Sequence, residues 1–342
     1  MEQSQLPSTN TQGFADVSPV RCSRLRETAR NFVAVFSLVG LITVFYALND
    51  WLSEQMPRFE MLIAVALFSL ALLPYYRTLP ADHVTKSRLF WRATGKRFQR
   101  LDGAERNAIA STGIKLFFLP LMLAWTIGQC YWLAGHLASE AWDWPHIYHL
   151  ILGLILLLDL LIFTVGYAVE HPRLGNEIRS VDTTPAGLWS ALICYPPLAL
   201  LASPVFAVNT LEPPALTAGY LNYVLGLVAL TLMTVYVAAS VALGFRASNL
   251  THRGVVRRWP YSMIRHPAYA AKVAAWWICS LPVLAELGQV SVLSLVWGVS
   301  TMITVTVIYA LRALTEERHL GHDPEYRAYC RDVPHRFVPG MF

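Results

Sequence analysis

Apolar residues fall in runs of about twenty, the length a helix needs to cross a bilayer. Eight such runs stand out, at about 32–49, 59–76, 113–134, 147–169, 188–207, 218–243, 268–287 and 290–313. The pattern predicts an all-α, polytopic integral membrane protein with about eight transmembrane helices. It divides into a tail (1–31), a membrane domain of about six spans (32–243) and a C-terminal region (244–342). Run five reads LWSALICYPPLALLASPVFA and holds Pro196, Pro197 and Pro204. Each proline removes a backbone donor and crowds the preceding turn, so this helix is expected to kink or break. Runs seven and eight are separated by a few residues around Gly288 and Gln289, which predicts a tight antiparallel hairpin. The segment 77–112 is too polar to span and is expected to hold a short basic helix on the membrane surface.

Charge sharpens this picture. Charged residues make up 14% of the chain and hydrophobic ones 55%, and mean hydropathy is +0.42. An average soluble domain carries roughly 25% charged residues. Twenty-three of the 27 Lys and Arg residues fall on one side if the chain starts in the cytoplasm, and only Arg58 falls on the other. By the positive-inside rule, both termini are then expected to be cytoplasmic. The net charge of +5 reflects topology and attraction to anionic lipid heads rather than nucleic acid. The five cysteines are scattered with no CxxC, so they suggest neither a disulfide framework nor a thiolate metal site. The first twenty residues lack the basic–apolar–small order of a cleaved signal peptide.

Residues 261–269 read YSMIRHPAY and sit where polar chain meets run seven. Pro267 suits the first helical position, which places His266 at the N-cap. The free N–H groups and dipole there, beside Arg265, favour an anion. The plainer reading is a helix start with Arg265 on lipid head groups. At the matching end of run eight come Arg312, Glu316 and Glu317, where the helix dipole disfavours acids. The hairpin brings both clusters to one membrane surface. A basic and an acidic cluster facing each other would suit a zwitterion with carboxylate and ammonium groups.

The stretch SNLTHRGVVRRWPYSMIRHPAY (248–269), the apolar hairpin and the tail RALTEERHL…DPEYRAYCRDVPHRFVPGMF together resemble the isoprenylcysteine carboxyl methyltransferase and phospholipid N-methyltransferase superfamily. That resemblance covers about the last hundred residues and implies that the hairpin forms a site for S-adenosylmethionine. It implies that Arg265, His266 and Tyr269 hold the cofactor's carboxylate and that Glu316 or Glu317 takes its ammonium. Tyr326 and Tyr329 would cover the adenosine, Tyr261 and 253–256 would line the wall, and Arg312 would orient an acceptor carboxylate. Arg312 and Glu316 are thus the expected catalytic pair, acting on a lipophilic or lipidated acceptor from the bilayer. Trp259, Tyr261, Tyr269, Trp276 and Trp277 are candidates to face the sulfonium. The chain departs from the pattern at Trp259-Pro260-Tyr261 and at Ala270-Ala271-Lys272. Lys272 either snorkels to the surface or contacts the acceptor. The tail also resembles membrane sterol reductases, which bind NADPH. A non-catalytic lipid-binding protein is the third reading.

Two further features stand apart. Asp159 lies mid-span in LILLLDLLIF, where an acid is a functional candidate or a structural partner of Lys115 or a backbone group. Glu316, His319, His322 and Asp323 have a spacing that would suit a metal on one helix face, but Gly321 and Pro324 break the helix, so no metal is expected.

Overall fold

The computed structural model describes residues 83–96, 100–139, 142–216 and 219–340, with scattered positions between 63 and 80. The run at 32–49 and the tail 1–31 lie outside the described residues, and 59–76 is represented only by scattered helical positions.

Polar caps decide where the helices begin. Thr85 opens α1 (Lys86–Gly95), the short basic helix expected within 77–112. Asp102 opens α2 (Gly103–Leu137) through a reciprocal capping box with Glu105, which satisfies two otherwise orphaned backbone donors. Helix α2 therefore starts ten residues before its apolar run. Glu105 is buried in that first turn and meets Lys96 at 2.6 Å and Arg92 at 3.3 Å. Asp143 caps α3 (Trp144–Ala168). The helix α6 (Gly219–Leu243) follows the irregular stretch 193–216.

Run five does not form one spanning helix. It yields α4 (Pro185–Leu192) and the single turn α5 (Leu198–Leu201), with turns around them. The proline pair at 196–197 separates the two, as their missing donors require.

The C-terminal hairpin is more articulated than its sequence suggests. It consists of α7 (Pro267–Cys279), α8 (Leu281–Val290) and α9 (Val292–Leu320). Helices α7 and α8 bend by 43° at Ser280, whose hydroxyl donates to Val208 O at 2.8 Å. The turn falls at Ser291, which caps α9, rather than at Gly288 and Gln289. Helix α9 runs to Leu320, so Arg312, Glu316 and Glu317 lie inside its last turns rather than beyond its end. Asp323 then caps α10 (Pro324–Asp332). A two-residue antiparallel ladder joins β1 (Ser180–Val181) to β2 (Thr251–His252).

Among the described residues, α2, α3, α9 and the helix at 219–246 are long and apolar enough to cross a membrane. The bent pair α7–α8 makes a fifth if it counts as one span. Their outward faces remain apolar, with Leu154, Leu158, Leu161, Leu227, Ile303 and Val307 exposed. Such continuous apolar surface suits hydrocarbon rather than water. The interior is close-packed where α3, α6 and α7 meet, through Tyr148, Leu152, Met233, Val237, Ala275 and Cys279.

Candidate functional site

The start of α7 and the end of α9 come together as the hairpin requires. His266 is the N-cap of α7, and its side chain makes no capping bond. Its imidazole Nε2 lies 3.1 Å from Glu317 Oε1. Arg265 Nη1 lies 3.1 Å from Glu317 Oε2, and Arg336 Nε donates to that oxygen at 3.0 Å. One carboxylate thus gathers two arginines and a histidine. Those ion pairs explain why an acid is tolerated in the last turns of α9, where the dipole opposes it.

The same network fastens the tail. Arg265 N donates to His335 O and His266 N to Arg336 O, each at 2.9 Å. Arg265 Nη2 donates to Pro334 O at 2.8 Å. Two backbone hydrogen bonds thus tie the chain at the start of α7 to the tail, while the Arg265 and His266 side chains are engaged by Glu317.

Glu316 behaves differently. Its side chain is 46% exposed, and it accepts from Tyr269 Oη at 3.1 Å. The rings of His266 and Tyr269 stack in parallel, with centroids 5.5 Å apart. Arg312 is buried beside them. Its guanidinium lies 5.1 to 5.9 Å from the ring centres of Tyr309, Tyr269 and Tyr195 and donates to Asn249 Oδ1 at 3.1 Å. A cation desolvated among aromatic faces is held by their quadrupoles and by that one amide.

A cavity of about 100 Å³ opens against this cluster. Tyr261, Arg265, His266, Tyr269, Arg312 and Glu316 all line it, with Asn249 and Lys272. A smaller one of about 40 Å³ shares Tyr269, Arg312 and Glu316 as its wall. Of the site residues expected from sequence, Glu317 stands behind this wall. Tyr326 and Tyr329 are buried with Val333 under the tail. Tyr329 Oη donates to Tyr261 O at 2.7 Å, so the two tyrosines brace the site without lining it. Burial pushes the Tyr261 phenol well above its ordinary range, and it stays neutral.

Other expectations change. Arg253 turns away from the cavity and donates to Asn176 O at 3.1 Å. Trp259 is exposed, and Trp277 donates to Thr306 Oγ1 at 3.0 Å. Asp159 does not meet Lys115. It accepts from Tyr236 Oη at 2.6 Å and Ser240 Oγ at 2.5 Å, while Lys115 pairs with Glu170 at 2.7 Å. His319 and Asp323 also have other partners, Ser180 and Arg179 respectively. No three metal-binding side chains converge among the described residues.

Sequence reading missed Tyr195, Asn249 and Tyr309. Tyr309, Arg312 and Glu316 follow a three- and four-residue spacing, so they share one face of α9. That signal was available. Tyr195 sits in the proline-broken stretch and Asn249 in a loop, where no periodicity points to either.

Fold and site together define a helical, membrane-type chain with an ion-paired cluster at one end of its long helices. Residues 190–333 match the family described as "Protein of unknown function (DUF1295)", a family linked to steroid 5-alpha-reductase-like membrane proteins. The matched stretch begins in α4, well before the boundary at 244 expected from sequence, and takes in the cluster from Tyr195 to Glu317 but not Arg336. No curated protein matches the chain.

Proposed function

We propose that the chain is an integral membrane methyltransferase that uses S-adenosylmethionine and acts on a lipophilic acceptor from the bilayer. The observation that carries this reading is the division of labour between the two adjacent glutamates. Glu317 is engaged by Arg265, Arg336 and His266, whereas Glu316 is left toward the cavity beside Arg312. That wall offers one carboxylate and one fixed cation, which is the complement of an amino-acid head group.

The residues fit such a ligand. Glu316 would take the ammonium. Arg312 would take the carboxylate, helped by Arg265, whose buried Nε has no hydrogen-bond partner among the described residues. The Tyr261 and Tyr269 side chains line the same space and would flank the sulfonium. When bound, the cofactor supplies an electrophilic methyl group. The protein's part is to hold the acceptor against it with water excluded, an orientation effect worth up to about 7–11 kcal/mol in favourable cases. An ionised carboxylate acceptor needs no base, and an amine acceptor has first to lose a proton.

A second reading, an NADPH-dependent membrane reductase, rests on the resemblance of the tail to membrane sterol reductases. A dinucleotide brings several phosphate charges and calls for uncommitted cations. Around the cluster, Arg257 pairs with Asp332, and Arg318 lies 3.8 Å from Asp182. Arg327 donates to Gly321 O, and Arg336 pairs with Glu317. The Glu316 carboxylate, which lines the cavity beside Arg312, would oppose those phosphates, and this weighs toward the methyl donor. The test is transfer of label from methyl-tritiated S-adenosylmethionine into material extracted by organic solvent, with purified protein and a native membrane lipid extract. Label that accumulates with time supports the proposal. NADPH consumption without methyl incorporation favours the reductase.

A further inference from the structure

A larger space, open on one side, lies between the helices. It measures about 430 Å³ and lies between α2, α3, α6, α7, α9 and the irregular stretch at 194–195. That falls in the usual range for small-molecule pockets, about 300–1,000 Å³. Most of its wall is apolar, formed by residues such as Met122, Trp125, Leu156 and Leu160. One end is polar. There Tyr195, Tyr236, Lys272, Tyr309 and Phe163 line both this space and the cavity beside Glu316. The two are therefore adjoining, and Lys272 stands at their junction.

Lys272 and Asp159 both face this space, yet they form no ion pair with each other. Asp159 uses its two oxygens on the Tyr236 and Ser240 hydroxyls. The Lys272 ammonium lies 5.2 Å from the Tyr236 ring centre and 5.1 Å from that of Trp276. Among the described residues, no oxygen accepts a hydrogen bond from it. A lysine in a bundle interior is costly and is normally matched by an acceptor. A purely structural charge would be expected to close onto the nearby carboxylate. This one is instead held over two ring faces, with its donors turned to a cavity large enough for a ligand.

We infer that this space binds a lipophilic molecule carrying an oxygen acceptor, carboxylate or carbonyl, which receives a hydrogen bond from Lys272. The apolar body of the ligand packs along α2 and α3, and its oxygen points toward the Glu316 cavity. Naming the ligand as the methyl acceptor rests on the proposed function, but its binding does not. Trp125, Leu156 and Asp159 all precede the matched stretch 190–333.

The test uses the full chain in lipid nanodiscs without cofactor. Three diazirine-bearing long-chain probes are compared: a carboxylic acid, the matching methyl ketone and the matching alkane. Crosslinks are mapped by mass spectrometry. The expected result is labelling of α2 and α3 peptides around Trp125 and Leu156 by the acid or the ketone over the alkane. Which of the two labels identifies the oxygen as charged or neutral. In Lys272→Met that labelling falls about tenfold or more, as loss of one charge-assisted hydrogen bond predicts. Gly128 lines the cavity, and a Cβ there meets nothing within 4 Å. Gly128→Phe should therefore fill the space and abolish cavity labelling with the thermal midpoint kept. Equal labelling by all three probes, no cavity labelling, or labelling unchanged in both variants overturns the inference. Labelling as expected in a protein that does not bind S-adenosylmethionine would sink only the proposed cofactor.

Discussion

Two neighbouring glutamates with different surroundings should fail in different ways. Glu317 is almost buried under Arg265, His266 and Arg336. Removing its charge leaves Arg265 and Arg336 unmatched, a change that costs about 3–5 kcal/mol when such a pair is buried. Glu317→Gln is expected to lower the thermal midpoint clearly. Glu316→Gln touches one exposed hydrogen bond and should leave the midpoint nearly unchanged. Differential scanning fluorimetry of the two variants checks the contrast, and equal midpoints would contradict it. Glu170 offers a pH test outside the spans. Burial pushes its carboxyl up, but Lys115 and Lys86 outweigh that and hold it at about 2, against an ordinary 4.5. Because the folded value is the lower one, the stabilisation is complete above pH 4.5. It is lost as pH falls from 4.5 toward 2, and it amounts to on the order of 3 kcal/mol. The stability deficit of Glu170→Gln should be largest near neutrality and narrow below pH 4.5. A deficit independent of pH would refute the pairing.

At the scale of elements, close approach of backbone to backbone sets the position of the site. Gly166 in α3 lies against the segment that carries Asn249, and a Cβ there would stand 2.3 Å from Ala247 O. Gly166→Ala has to push 247–249 away, at about 1–3 kcal/mol. Because Asn249 holds Arg312, cofactor affinity should fall along with stability. A stable variant with unchanged affinity would show that this contact does not position the site. Helix positions were legible where cap and apolar run agreed, as for Pro267 opening α7. They were less legible where polar residues extend a span. The Asp102–Glu105 capping box starts α2 early, and ion pairing at Glu317 lets α9 continue through its acidic turn. Run five was correctly expected to break, but its pieces could not be read from hydropathy. Proline says where a helix fails and not where the chain goes next.

At the scale of the molecule, the sequence predicted that a basic and an acidic cluster meet, because the hairpin returns the end of α9 to the start of α7. It could not show that the basic cluster closes on Glu317 and leaves Glu316 for a ligand, since both acids have the same local sequence. Nor could it show the larger cavity, whose wall comes from helices far apart in the chain. Charge distribution predicts that the cluster faces the cytoplasm. Cysteines placed at the exposed positions Arg258 and Gln289, with the native cysteines replaced, would report this. Gln289→Cys should react with an impermeant maleimide in intact cells, and Arg258→Cys only after permeabilisation. The reverse order would invert the topology.

The most direct test of the central claim is equilibrium binding to the purified protein in nanodiscs, with S-adenosylmethionine and NADPH titrated separately. The account predicts saturable binding of S-adenosylmethionine, weakened at least about tenfold in Glu316→Gln, and no saturable binding of NADPH. Saturable NADPH binding with no response to S-adenosylmethionine would contradict it.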